Sequence, residues 1–600
     1  MRVDKNKSYV LYGDFVTGDG FSQAIGQGSV ASLKQRSLGQ YNRTATGVRA
    51  HHEQGALSGN VFAFNDSLRQ VVEEMASQGS GPYGLRNNGA VEGSEKVEMV
   101  VRDRHQPARI VAVKPLQRLV DYTFEPFSGR LLLTQFLPSV DADLNPVSLR
   151  VTYEVDQGGE KFWVFGGDVQ AKLGSALEIG GSAAVDRNDL APYRLQSANA
   201  TLRLGERSAI VAEVAHSRAE INTNPANQSL SSGLANSSGE VSGKAWRVEL
   251  AHEGERTRAR AFVGRSDPAF INPAAPLQGG RGEAQLEASL KLTDTVKLVA
   301  DGLKSEDRTE GGGQRQAVNA GVRWAATDSL TLEAGWRSAR ETIGTQANST
   351  TNTPFGDTNG LGSTFSSANG GGLLGYGNQA LDPITGLPSI NSQSLGSVIS
   401  PLPVGTQLDS DGLRLGVGWR ATERVRLGAE VEQSISGDER KRVALSADYQ
   451  IAERARLYTR WEHQSGWTQV QGTSATGRNA NALVMGVDTS QWRDTQLFSE
   501  YRLRDAISGR DLQLASGVRN QWDLQPGLRL STAAERVQVL SGNTAQATAL
   551  SAGIDYSANP LWRGSTRVEW RRSGDVGDTT TVNEQFDTTL WQLMAARKLD

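Results

Sequence analysis

The chain has 600 residues, of which 66 are Gly, 18 are Pro and none is Cys. The lack of Cys excludes disulfide bonds, Cys-ligated metal sites and thiol catalysis, and it suits a chain that crosses an oxidising compartment. The 63 basic and 66 acidic residues give a net charge of −3 with no basic tract, so nucleic acid is not an expected partner. No run of 18 apolar residues occurs, which excludes a transmembrane helix but not a transmembrane β-barrel, whose hydrophobicity alternates along each strand.

The first 76 residues are predicted to be N-terminal barrel strands. Residues 9–15, 41–51 and 57–64 alternate between apolar and polar side chains, which is the period of a strand with one buried face. Residues 66–75 are ambiguous, because Leu68, Val71, Val72 and Met75 follow Ser67 at helical spacing but also extend the preceding strand. The N-terminus has no apolar core of a signal peptide, so an exported chain would be a mature form or a fragment.

Residues 77–156 are predicted to form a small β-sandwich inserted into the barrel. Their apolar runs are shorter than those elsewhere and are separated by tight turns, for example at residues 126–129 and 141–146. This spacing indicates a separate folding unit within the barrel.

A family resemblance arises within this insert. The residues that carry it are Gly81, Pro82, Tyr83, Gly93, Ser94, Glu95, Asp121, Tyr122, Gly129 and Arg130. The Gly-Pro-aromatic entry followed by a sandwich resembles the plug region of fimbrial ushers, and the Gly-Ser-Glu and Asp-Tyr…Gly-Arg pattern resembles that of the type IX secretion translocon. The resemblance covers about 80 residues and implies a plug that sits between barrel strands and occludes the pore.

Residues 157–600 are predicted to form the main transmembrane barrel. Leu413, Leu415, Val417 and Trp419 alternate with Gly and Arg, and the same pattern recurs in about 21 segments up to residue 599. With the three N-terminal segments, this predicts an all-β transmembrane antiparallel barrel of about 24 strands. The polar parity is rich in charges that would line a wet lumen or face a charged plug. These predicted lumen-facing charges are Arg414, Arg420, Arg426, Glu430, Glu432, Arg442, Asp448, Arg456, Arg460 and Glu462.

The connections between the predicted strands favour an outer-membrane barrel over a soluble β protein. Short turns, such as those at residues 204–206, 422–423 and 489–491, alternate strictly with longer polar loops. Short turns would be periplasmic and long loops extracellular. Several Trp residues near strand ends, including Trp324, Trp336 and Trp419, suit an interfacial girdle, although each one could equally be packing. The loop 341–411 has no Lys or Arg and could be a lumenal lid, a recognition loop or a flexible loop.

Candidate catalytic and metal sites are weak in this sequence. His51 and His52 are adjacent, so on a strand they point to opposite faces and do not chelate a metal. Residues 141–145 begin like a calcium loop but lack its later Gly and Glu, so a plain turn is predicted. No cofactor is expected. The chain is predicted not to be an enzyme, although catalytic residues of a barrel hydrolase could lie on separate strands without a local motif.

The predicted function is a plug-gated channel or translocon for a solute or polypeptide in the outer membrane of a Gram-negative bacterium. Expected partners are outer-membrane lipid and lipopolysaccharide, the barrel-assembly machinery, and a periplasmic accessory protein or polypeptide cargo. One alternative is a structural anchor for a larger surface or adhesive protein. Another is a transporter like the TonB-dependent receptors, which fits the strand number but not the N-terminus.

Overall fold

A computed structural model describes most of the chain. The described residues are 1–18, 33–41, 43–76, 83–85, 91, 93–102, 110–118, 121–125, 130–133, 137, 147–156, 160–188, 192–221, 239–272, 275, 277, 280–308, 314–342, 407–437, 439–466, 480–492, 495–506, 509–541, 546–559, 561–574 and 585–597. Within these ranges no helix is long and apolar enough to cross a membrane.

The described chain is organised as strands in three sheets. The first five strands are β1 (Arg2–Lys5), β2 (Ser8–Val16), β3 (Thr44–Gln54), β4 (Leu57–Asp66) and β5 (Leu68–Ala76). The next six are β6 (Tyr83–Gly84), β7 (Lys96–Arg102), β8 (Ile110–Leu116), β9 (Tyr122–Glu125), β10 (Arg130–Leu133) and β11 (Val147–Asp156). Ten longer strands follow: β12 (Phe162–Leu173), β13 (Leu177–Asp186), β14 (Tyr193–Arg203), β15 (Ser208–Ile221), β16 (Gly239–Glu253), β17 (Thr257–Ser266), β18 (Arg281–Lys291), β19 (Val296–Asp307), β20 (Gln314–Ala325) and β21 (Leu330–Thr342). The last eleven are β22 (Gln407–Arg420), β23 (Val425–Gly437), β24 (Arg440–Ala452), β25 (Ala455–Gly466), β26 (Ala480–Trp492), β27 (Thr495–Ala506), β28 (Gly509–Gln525), β29 (Leu528–Ser541), β30 (Gln546–Tyr556), β31 (Trp562–Gly574) and β32 (Gln585–Arg597).

The dominant feature is one antiparallel sheet of 25 strands. Neighbours in sequence pair from β1 to β4, β4 pairs with β12, and sequential pairing continues to β32. Strand β1 has four residues and the other 24 strands of the sheet have at least nine, which matches the predicted number of about 24. The predicted all-β fold class, with a large antiparallel sheet of this size, is confirmed.

The segment between β4 and β12 forms the other two sheets, with strand orders β5-β11-β7-β8 and β6-β10-β9. Their shared core includes Val97, Tyr122, Leu131, Leu149 and Tyr153, all nearly inaccessible to solvent. Residues 68–76 are extended and pair with β11, so the helical alternative for them is wrong, and this two-sheet unit includes residues that precede the predicted boundary at 77. We call residues 68–156 the insert.

The connections of the large sheet differ between its two ends. At one end the turns are short, such as Gly174 to Ala176 between β12 and β13 and residues 421–424 between β22 and β23. The insert and the longest connections leave from the other end, which we call the long-loop end. The predicted strict alternation is wrong there, because two residues join β23 to β24 and another two join β27 to β28.

Two predicted loop boundaries also differ from the structure. The strand β26 continues through the predicted turn at residues 489–491 to Trp492, and it absorbs the turn-like residues by a register shift after Thr489. The predicted loop 341–411 is shorter at both ends, because β21 ends at Thr342 and β22 begins at Gln407. Residues 343–406 lie outside the described residues.

The two faces of the large sheet have opposite polarity. On β22, Leu413, Leu415 and Val417 are 50 %, 60 % and 43 % exposed, whereas the intervening Arg414 and Gly416 are more buried. Trp246, Val263 and Leu286 are likewise exposed on other strands. The apolar parity therefore forms an outer face, and the polar parity forms an inner face, part of which other segments of the chain cover.

Candidate functional site

The described segment 33–41, between β2 and β3, lies on the inner face of the large sheet, and we call it the strap. Leu33 is buried against Ala209, Val211 and Ala251 of β15 and β16. Leu38 is buried in a second cluster that includes side chains from β13 to β16. These leucines fix the strap by apolar contact with a wall whose small Ala side chains leave room for it.

The carboxylate of Glu213 binds the strap from the middle of β15. It accepts hydrogen bonds from the backbone N–H groups of Ser37 (2.8 Å), Leu38 (3.0 Å) and Gly39 (2.8 Å). Arg247, its cross-strand partner on β16, donates a further bond of 2.7 Å from Nε. A buried carboxylate is costly unless its lone pairs are satisfied, and here the strap backbone supplies three of the donors.

Arg247 extends this contact on both sides. It is one of the largest fully buried side chains, and it donates to the backbone oxygen of Lys34 in the strap and to Glu249, 3.0 Å away. Glu249 also accepts two bonds from Arg260 on β17. The strap therefore covers an ionic network on three adjacent strands, in which Glu213, Arg247 and Glu249 are buried.

The loop after β17 holds the strap from the opposite side. Phe270 and Ile271 are buried in the same cluster as Leu38, and the Ile271 N–H donates to Ser217 Oγ at 2.8 Å. The Asn272 side-chain amide donates to the backbone oxygens of Leu38 (2.6 Å) and Gln40 (3.1 Å). The loop therefore folds onto the inner face and holds the strap by apolar contacts and hydrogen bonds.

Two glycines make this close packing sterically feasible. A Cβ on Gly39 would lie 2.1 Å from Ser197 Cβ, and one on Gly243 would lie 2.1 Å from the backbone nitrogen of Phe270. Since real Cβ atoms do not approach so closely, any larger residue would push the strap or the loop away from the wall.

Arg43 connects the large sheet to the insert. Its guanidinium pairs with Asp66 at the end of β4 (2.8 and 2.9 Å) and with Glu154 on β11 of the insert (2.9 Å). Asp186 on β13 lies 3.9 Å away. Arg43 and Glu154 are both almost fully buried, so the contact between the large sheet and the insert is a buried ion pair and not a surface one.

Aromatic side chains pack beside Arg43 at this contact. Tyr41 stacks between Phe62 of β4 and Tyr193 of β14, with ring centroids 6.1 and 6.3 Å apart. Burial raises the pKa of the Tyr41 hydroxyl well above its ordinary value, so it remains protonated. The hydroxyl donates to Asp186.

The described residues of the predicted plug motif lie inside the insert and stabilise its fold. Tyr83 is buried at the start of β6, and Gly93 has a φ of +86°, which favours Gly. The carboxylate of Glu95 accepts a hydrogen bond of 2.7 Å from the Gly93 N–H and forms an ion pair of 3.2 Å with Arg118. Ser94 Oγ donates to the Val91 backbone oxygen (2.6 Å) and accepts from the N–H of Glu154 (2.9 Å).

The remaining motif residues are more peripheral to this network. Asp121 accepts from the Gln117 N–H at 2.8 Å, and the buried Tyr122 hydroxyl donates to the Glu95 backbone oxygen. Arg130 is the first residue of β10 and lies opposite Glu125 of β9 in the strand pairing. Gly81, Pro82 and Gly129 lie outside the described residues.

The predicted lumen charges share the inner face, because register partners lie on the same face of a sheet. Ala251, which contacts the strap, begins a row of successive partners that continues through Arg260, Glu287, Asp301, Asn319 and Arg337. Arg337 is buried and pairs with Glu432 at 3.4 Å. Arg414 lies 3.7 Å from both Glu333 and Glu430.

The other predicted charges continue this pattern on β23 to β25. Arg426 pairs with Asp448 at 3.2 Å, and Arg456 contacts the same carboxylate. Arg442 and Arg460 are buried, and Arg420 is exposed near the short-turn end. Glu462 lies on β25 opposite Ala444. Opposite charges are thus paired across several strands of the inner face.

Sequence reasoning missed the strap, Arg43, and the Glu213–Arg247 pair. Glu213 is the one charged residue on a parity of β15 that otherwise carries Ala, Val, Ser and Ile, and Leu33, Leu38 and Phe270 are large apolar side chains in predicted connections. Those two signals together would have indicated that a connection folds onto the inner wall.

Comparisons with known proteins give only distant structural similarity. No family model matches the chain, and no curated protein matches it. The open form of the ferric-catecholate import receptor Fiu from E. coli matches with 10 % identity and a TM-score of 0.37, over 97 % of this chain and 90 % of that one. The ferric enterobactin receptor PfeA from Pseudomonas aeruginosa has 9 % identity and a TM-score of 0.37, over 99 % and 77 % of the two chains. The ferric yersiniabactin uptake receptor FyuA from Yersinia pestis has 9 % identity and a TM-score of 0.36, over 93 % and 78 %. TM-scores this low do not establish a shared fold.

Proposed function

We propose that this protein is an outer-membrane β-barrel channel whose lumen is occluded by the strap and the insert. The observation that carries the proposal is the attachment of both elements to the inner, charged face of a sheet whose other face is apolar. The proposal includes the resemblance of the insert to the plug of fimbrial ushers and of the type IX secretion translocon. It also includes the expected partners, which are the barrel-assembly machinery and a periplasmic accessory protein or polypeptide cargo.

The polarity of the sheet supports a position in a membrane. A soluble protein buries its apolar parity, whereas here that parity is exposed and part of the charged parity is covered. A twisted sheet of 25 strands does not stay open and flat, and closure removes the unpaired edges that lipid would not tolerate. The long-loop end would then be extracellular and the short turns periplasmic.

The position of the insert supports occlusion. A barrel of more than 20 strands encloses an aqueous lumen unless something fills it. The insert leaves the sheet between β4 and β12, and the Arg43–Glu154 pair holds it against the wall near the strap. Opening would require these buried contacts to break together.

The same contacts also favour a second candidate function, a fixed structural anchor. Arg43, Glu213 and Arg247 are almost fully buried and multiply bonded, which is the arrangement expected of a filling that does not move. A transporter like the TonB-dependent receptors is a third proposal. The solved structures named above are receptors for ferric catecholate, ferric enterobactin and ferric yersiniabactin, and nothing at the described inner face identifies such a ligand.

Single-channel conductance in planar bilayers tests the proposal. The insert can be removed cleanly, because Leu68 pairs with Asp156 and Asp66 pairs with Phe162. A short Gly-Ser linker in place of residues 68–156 would join β4 to β12, and a second variant would also lack the strap.

We expect the intact chain to be closed and the variant lacking both elements to form a large, steady pore. A double deletion that inserts into the bilayer but stays closed would contradict the channel and favour the anchor. Heat-dependent migration on gels reports whether each variant has folded before its conductance is compared.

A further inference from the structure

The outer face carries a cluster of positive charges where the apolar band ends. Arg265 on β17, Lys304 on β19 and Arg308 just after β19 surround a single carboxylate, that of Glu306. The distances from the three cations to Glu306 are 2.9, 3.6 and 4.0 Å. One carboxylate cannot neutralise three cations, so among the side chains that the structure describes the cluster has an excess of two positive charges.

Register pairing places this cluster on the outer face. The exposed Trp246 pairs with Arg265, Arg265 with Gly282, and Gly282 with Glu306. In the next row, the exposed Val263 pairs with Ala284, and Ala284 pairs with Lys304. The side chains of Arg265 and Lys304 are 48 % and 51 % exposed. They therefore stand beside apolar side chains and not in the lumen.

The two edges of the apolar band differ in charge. The cluster lies at the long-loop end, where β17 and β19 finish. Arg218, Lys244 and Arg340 occupy the same edge of neighbouring strands, where Arg218 pairs with Glu240 at 3.1 Å and Arg340 with Asp409 at 3.4 Å. At the short-turn end, the last outward residues of β18 to β22 are all uncharged. They are Leu290, Val296, Trp324, Leu330 and Trp419.

We propose that Arg265, Lys304 and Arg308 form a binding site for the phosphate groups of a phosphorylated lipid in the membrane leaflet at the long-loop end. Guanidinium and ammonium groups bind phosphate by charge-assisted hydrogen bonds, and the apolar side chains below them contact the acyl chains. Placement at one edge only matches a bilayer in which one leaflet is rich in phosphate. This inference depends on the proposed membrane location and adds a lipid class and a site to it.

Binding of fluorescent lipid A to the whole protein in neutral detergent tests the site. We expect R265Q/K304Q to lower the affinity about twenty-five-fold, since each cation near a lipid surface contributes roughly a factor of five. Glu306→Gln removes the one competing carboxylate, so we expect it to tighten binding. Arg340→Gln is the matched control, because Arg340 is paired with Asp409 at 3.4 Å on the same edge.

Two further ligands distinguish the source of the phosphate. Lipid A without its phosphates is expected to bind weakly and equally to all variants, and millimolar inorganic phosphate is expected not to displace the phosphorylated lipid. Unchanged affinity of R265Q/K304Q, or equal binding of the dephosphorylated lipid, would overturn the site. Displacement by inorganic phosphate would overturn the lipid as its ligand.

Insertion of the protein into phosphatidylcholine vesicles, which contain no lipid A, tests the membrane location separately. A protein that inserts but shows no phosphate dependence refutes only the lipid site. Failure to insert refutes the proposed function itself.

Discussion

At the scale of single residues, Glu213 has the largest number of bonds to the strap. Replacing it with Ala removes the acceptor of three strap N–H groups and one partner of the buried Arg247. Loss of one member of a buried ion pair costs about 3 kcal/mol or more. We expect hydrogen exchange at residues 37–39 to become at least tenfold faster in Glu213→Ala.

Glu178→Ala is the matched control for this prediction. Glu178 is also buried on the inner face and pairs with Arg203 at 2.9 Å, but that ion pair does not involve the strap. Comparable acceleration of strap exchange in both variants would show that general destabilisation, and not the Glu213 contact, is responsible.

Gly39 provides a steric test at the same contact. Because a Cβ would lie 2.1 Å from Ser197 Cβ, we expect Gly39→Ala to displace the strap and speed exchange at residues 37–39. Ser197→Gly removes the obstructing side chain, so the double variant should recover most of the protection. If G39A alone leaves exchange unchanged, the strap does not lie against β14 as described.

At the scale of elements, the insert depends on an ion pair between its own strands. Glu98 on β7 accepts two bonds from its cross-strand partner Arg150 on β11, at 2.9 and 2.7 Å, and Lys96 lies 3.0 Å from it. Burial by itself would raise the pKa of Glu98, but the charges of Arg150 and Lys96 outweigh it and hold the pKa below its ordinary value.

This pKa shift predicts a loss of stability in acid. A carboxylate with a lowered folded pKa stabilises the fold fully above its unfolded pKa of about 4.3, and this contribution disappears as the pH falls through the folded value. Hydrogen exchange of β7 and β11, corrected for intrinsic rates, should therefore accelerate below about pH 4. Glu98→Gln should remove that part of the pH dependence. An unchanged acid response in the Gln variant would contradict the assignment.

The strands of the large sheet could be predicted from sequence because each has a regular period of two. The segment 413–419 alternates without exception, and its register with β21 and β23 follows the same parity. Connections have no such period. The strap is positioned by Glu213, Arg247 and Asn272, which are more than 170 residues away in sequence, so no local pattern could reveal it. The prediction of a turn at residues 489–491 was wrong for a related reason, since β26 continues across these turn-forming residues with a register shift.

At the scale of the whole molecule, the structure is a sheet whose apolar parity is exposed and whose charged parity is partly covered by the strap, the loop after β17 and the insert. The apolar outer face, the paired charges of the inner face and the buried strap are the arrangement expected of a sheet that lipid surrounds, as we propose. In the proposed membrane location, the cationic cluster at the long-loop edge would contact only one of the two leaflets. The central claim is therefore that the outer parity contacts lipid and the inner parity does not.

Cysteine scanning of β22 tests this claim most directly, and the chain has no native Cys to interfere. Single Cys residues at positions 413 to 418 would each carry an environment-sensitive fluorophore in bilayers that contain a lipid-phase quencher. We predict strong quenching at 413, 415 and 417 and little at 414, 416 and 418. Equal quenching on both parities, or quenching of the charged parity alone, would contradict the account.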